Sequence, residues 1–86
     1  MNKDKLIKVF NKGKETNSFV QVEVTIPGQE GTEFIVNKPS SIDNKLEYYL
    51  RTYDDELKHC MNDKVIIVDA SYFDEDKQEW IWSDKI

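Results

Sequence analysis

The chain has 86 residues, a formal net charge of -5, 38% hydrophobic residues and one cysteine. That length holds one core, so a single domain over residues 1–86 is expected, and ten aromatic residues spread along it argue against disorder. The lone Cys60 excludes an intramolecular disulfide and points to a reducing compartment. The longest apolar run, Val65–Val68, is far short of the roughly 20 residues of a membrane span, and Lys8 cuts off Leu6-Ile7 before a targeting segment can build, so a cytoplasmic protein without a membrane partner is expected.

From the start, Leu6, Ile7 and Phe10 stand at helical spacing with Gly13 placed as a stop, predicting a short helix over 5–12. Ile7 and Val9 also alternate about Lys8, which leaves an edge strand open. Val20, Val22, Val24 and Ile26 alternate with Gln21, Glu23 and Thr25, predicting a strand over 19–26, and Pro27-Gly28 through Gly31 turns it into a second strand over 32–37. Ser40 with Asp43 reads as a capping box for a helix running to about His59 or Met61, its apolar stripe formed by Ile42, Leu46, Tyr49, Leu50, Tyr53 and Leu57. Val65 to Phe73 reads as a central strand, and the turn Asp74-Glu75-Asp76-Lys77 leads into a last strand carrying Trp80 and Trp82 on one face. The expected fold class is α+β: an antiparallel sheet of about four strands on one main helix, in the order α(or β)-β-β-α-β-β. Trp80 and Trp82 are either core cover for the sheet or an exposed binding anchor; core is favoured, because the domain is short of other large side chains to cover that sheet, which leaves Ile81 and Phe73 as candidates for an exposed apolar contact.

No pattern for catalysis emerges, and an enzyme is not expected. His59 and Cys60 are the only residues of their types, and neighbours on a helix diverge by about a hundred degrees, which defeats a nucleophile–base pair. One His and one Cys cannot complete a zinc site; Asp74, Asp76 and Glu79 lack the glycine of a calcium loop, with Lys85 where its closing glutamate would stand; and no glycine-rich phosphate loop is present. No cofactor and no metal are therefore expected. The charge is uneven: residues 1–26 carry five lysines against three acids, while residues 54–86 carry ten acids against four lysines. Direct nucleic-acid binding is disfavoured, because phosphate is repelled. Alternate residues on a strand sit about 6.6 Å apart, close to the phosphate spacing, so carboxylate rows can imitate a nucleic-acid backbone. The residues expected to form such a partner-binding surface are Asp69, Asp74, Glu75, Asp76, Glu79 and Asp84 of the C-terminal hairpin, with Asp54 and Asp55 of the helix end. Against this, Glu47 stands four before Arg51 and Asp54 four before Lys58, an arrangement that neutralises charge within a helix.

The stretch Leu46-Glu47-Tyr48-Tyr49-Leu50-Arg51-Thr52-Tyr53-Asp54-Asp55-Glu56-Leu57, followed by Lys64-Val65-Ile66-Ile67-Val68-Asp69, resembles the helix–strand segment of small phage and prophage proteins from low-GC Gram-positive bacteria. The resemblance implies an accessory phage product that binds a host protein, and acidic anti-CRISPR and anti-restriction DNA mimics are similar in size and charge. The expected partner is a basic host protein, such as a nuclease or another nucleic-acid-binding protein. The alternative is a structural or adaptor domain that forms a homodimer or other protein contact through an apolar sheet edge or the Trp-bearing face, its acids serving solubility.

Overall fold

The structure, a computed structural model, describes residues 1–86 and contains two helices and an antiparallel sheet, an α+β fold. The first segment is a helix, α1 (Lys3–Glu15), begun by Asn2, whose side chain accepts the Lys5 N–H at 2.9 Å. Leu6, Val9, Phe10 and Gly13 form its buried stripe at steps of three and four. Gly13 does not end the helix as the sequence suggested. It lies inside, where α1 passes closest to the sheet: a Cβ built on it would stand 2.2 Å from Val20 Cγ2. The missing side chain makes room for the strand, and termination falls to Thr16 and to Asn17 at φ 52°.

Strands β1 (Val20–Thr25) and β2 (Thr32–Asn37) form the expected hairpin, with Val20 opposite Asn37 and Thr25 opposite Thr32. Pro39–Ser41 then makes a 3-10 turn, so the capping box is not formed: Ser41 precedes α2 (Ile42–Thr52) without a side-chain cap, and Asp43 pairs instead with Lys14 of α1 at 3.0 Å. Helix α2 ends a full two turns before the predicted limit. Asp54 is the cause, since its Oδ1 accepts the N–H groups of both Glu56 and Lys58 at 2.9 Å, which closes a local turn that competes with helix. Leu57, at φ 61°, reverses the chain and drops its side chain into the core. What read as the last helical turns is thus a bend followed by a two-residue strand, β3 (Lys58–His59).

Strand β4 (Asn62–Asp74) is the centre of the sheet. Along one edge it pairs with β1; along the other it pairs first with β3 and then with β5 (Glu79–Trp82). Val68 is the extra residue of a bulge, because Glu23 faces Asp69 while the next residue, Val24, faces Ile67. Both helices lie on one face of this sheet. Leu6, Val9 and Phe10 from α1, Val20, Val22 and Val24 from β1, Ile42 and Tyr49 from α2, Tyr53, Leu57, and Ile67, Ala70 and Tyr72 from β4 form one buried cluster. Edge-to-face contacts of Tyr49 with Phe10 and with Tyr53, each at 5.9 Å, join α1 to the end of α2.

Two tests follow from this packing. Gly13→Ala should gain helix propensity yet destabilise the domain by about 1–3 kcal/mol in urea unfolding, because Val20 must move. The Tyr49 hydroxyl is buried without a well-formed hydrogen bond, although the Asn37 amide lies beside it; burial raises its pKa above the ordinary 10.0, and Asn37 offsets this in part. The unfolded chain therefore ionises first, and stability should fall as pH rises through about 10. Tyr49→Phe should leave neutral-pH stability unchanged or raise it by up to about 1 kcal/mol, and should flatten the alkaline decline.

Candidate partner-binding surface

The sheet face turned away from the helices is uncovered, and strand parity decides what it displays. Ile81 stands opposite Tyr72 and so points toward the helices, where it packs on the core; Trp80 stands opposite Phe73 and Trp82 opposite Ser71, on the outer face. This corrects the sequence reading, which put the tryptophans in the core and exposed Ile81. Phe73 belongs with the tryptophans, its ring 5.2 Å from that of Trp80. Across the sheet, Phe34 of β2 leans to within 5.9 Å of Trp82. Beneath these rings Ser71 is 0% exposed and Gln21 7%, although no helix covers them. The outer face thus carries its own thin apolar layer, half-buried at the tryptophans and open at Phe34 and Val36. Periodicity alone could have found it, since Trp80, Trp82 and Phe73 share one parity once the β4–β5 hairpin register is fixed by Asp74 opposite Glu79.

The eight acids proposed from sequence do not form one surface. Asp54 is committed to the turn after α2, and it makes no ion pair with Lys58, which reaches Glu56 at 3.4 Å instead. Asp55, beside it, is solvent-exposed and 3.9 Å from Lys3 Nζ. The helical pair Glu47–Arg51 is present at 3.9 Å. Asp69 accepts the Ser83 hydroxyl at 2.6 Å and the Ala70 N–H at 2.8 Å, so its carboxylate fastens the 3-10 turn Ser83–Lys85 onto β4. Asp84 lies exposed in that same turn, at the far end of β5 from the hairpin tip.

Asp74, Glu75, Asp76 and Glu79 do come together, at the tip of the β4–β5 hairpin. Asp74 accepts the Lys77 N–H at 3.1 Å and shapes the turn, Glu79 faces it across the strands, and Glu75 and Asp76 are exposed. Asp74, Glu75 and Asp76 line an open depression of about 330 Å³ with Lys12, Thr16, Ser18 and Tyr72. The Asp74–Glu79 pair is the next rung after Phe73–Trp80, so it adjoins the aromatic pair along the strands but points to the opposite, helix-side face, where Asp74 shares the depression with Lys12 and Tyr72.

His59 and Cys60 sit at the β3–β4 turn rather than on a helix. His59 Nδ1 accepts the Met61 N–H at 3.0 Å, its ring meets Tyr53 edge-on, and Cys60 is exposed. No three His, Cys, Asp or Glu side chains are grouped to hold a metal ion, and no helix is long and apolar enough to cross a membrane. Comparison with protein-family models, curated proteins and solved structures finds nothing that matches the chain.

The different duties of neighbouring acids are separable by mutation. Asp54→Ala should cost about 1–2 kcal/mol in thermal or urea unfolding through loss of two backbone-directed hydrogen bonds, whereas Asp55→Ala, whose one ion pair is exposed, should fall within about 0.5 kcal/mol of wild type.

Proposed function

We propose that the domain is a non-enzymatic binding protein of the phage accessory type. It occupies a basic, nucleic-acid-binding surface of a host protein such as a defence nuclease. The supporting observation is that the β4–β5 hairpin, which carries Phe73, Trp80 and Trp82 on its outer face, ends in a tip of four carboxylates, Asp74, Glu75, Asp76 and Glu79. Interfaces draw most of their binding energy from aromatic anchors near the centre, while charges at the rim steer the approach and reject like-charged partners. An apolar strand face that ends in an acidic hairpin tip fits a partner that grips the hairpin end, with an apolar spot near lysines and arginines. Asp69, Asp54 and Asp55 then fall outside the contact, the first two as structural groups.

Purified restriction and CRISPR nucleases of Gram-positive hosts provide the test, measured by interferometry at low and high salt with duplex DNA as competitor. One of them should bind, with affinity falling as salt rises and DNA competing. Replacing Asp74, Glu75, Asp76 and Glu79 together by Asn or Gln should weaken binding at low salt by about tenfold or more, chiefly through slower association, and Trp80→Ala should speed dissociation at a cost of about 2 kcal/mol. Binding to none of these enzymes, or binding indifferent to salt and to the fourfold variant, contradicts the proposal.

A further inference from the structure

Strand β2 is one edge of the sheet, opposite the short strands β3 and β5, and it is bare on both sides: Phe34 is 53% exposed and Val36 54% on the outer face, and Ile35 is 38% exposed on the helix face. Natural edges are guarded by lysine, proline, a bulge or a short length. Here six residues pair regularly with β1, and within them Glu33 is the one charged group. Such an edge calls for another strand with apolar residues on both faces.

We infer that a second copy of this chain supplies that strand, β2 pairing antiparallel with β2 about a twofold axis at Ile35. Directly opposed residues in an antiparallel pair share a face, so a self-paired strand must be centred on a residue. Centred on Ile35, each Phe34 lies opposite the other copy's Val36, Glu33 opposite Asn37, and Thr32 opposite Lys38. The strand begins beside acids, Glu30 and Glu33, and ends at Lys38. Antiparallel pairing brings the acidic beginning of one copy alongside the cationic end of the other, and no two acids oppose each other directly. The apolar centre and the charged ends are both self-complementary, which offsets the repulsion between two chains of charge -5. The dimer is independent of the binding reading above. Because the axis is normal to the sheet, it places both outer faces on the same side.

Sedimentation of the full chain should show a dimer at about 100 µM, and Ile35→Lys should weaken association by at least about tenfold with an unchanged circular dichroism spectrum, since Ile35 is not a core residue. The register is read in a Cys60→Ser background. Ile35→Cys should form a disulfide-linked dimer under mild oxidation, its Cα atoms about 5 Å apart, while Thr32→Cys, about 20 Å from its own copy, should not. A wild-type chain that remains monomeric at that concentration overturns the inference, as does a dimer that cross-links through residue 32 but not 35, or one indifferent to Ile35→Lys.

Discussion

Strand β4 is the element on which everything else is hung. It runs thirteen residues, pairs with β1 along one edge, and on the other holds two separate strands, β3 near its start and β5 near its end. Its alternation divides the molecule in two. Ile67, Ala70 and Tyr72 face the helices and complete the single buried cluster, while Ser71 and Phe73 face outward beneath or among the aromatic rings. The bulge at Val68 resets the phase, so that Ile67 and Ala70, three apart, both point to the core. Without that extra residue, one half of β4 would present its polar groups to α1 and α2.

This division explains which parts of the fold were legible in the sequence. The β1–β2 hairpin was, because Val20, Val22 and Val24 alternate with polar residues and the turn between the strands holds Gly28 and Gly31, both at φ 80°. The central place of β4 was also legible, from its unbroken apolar run. The end of α2 was not, because Tyr53 and Leu57 continue the helical spacing although the chain has left the helix; both are buried, but Leu57 arrives by a reversal that Asp54 organises through two backbone hydrogen bonds. Periodicity records that a residue is buried, not the path by which it gets there. Gly13 misled for a related reason: a glycine near a helix end reads as a stop, whereas this one serves a close approach between α1 and Val20 that only the tertiary structure reveals.

The site was half legible. Clustering of acids in the last third of the chain was visible, and four of them do meet at one hairpin tip. The others were diverted by local hydrogen bonding: Asp54 to a turn, Asp69 to Ser83. Composition counts charges but cannot say which carboxylates are already occupied. The tryptophans were favoured for the core because the chain is short of other large side chains to cover the sheet, a reading that leaves out a second apolar layer. The domain has two of unequal thickness, a helix-covered core and an aromatic sheet face that buries Ser71 with no helix above it. That second layer, on the hairpin whose tip carries the acids, is the basis of the proposal that the domain works by binding.

The most direct test of that account is to map the contact on the protein itself by NMR, titrating the labelled chain with a basic nucleic-acid-binding nuclease that it is found to bind. Trp80 and Trp82 are the only tryptophans, so their two indole N–H signals report on the outer face without ambiguity. Binding at the hairpin should shift both indole signals and the amides of residues 74–79 together while those of α2 stay in place. Shifts confined to α1 and α2, with both indole signals unmoved, would contradict it.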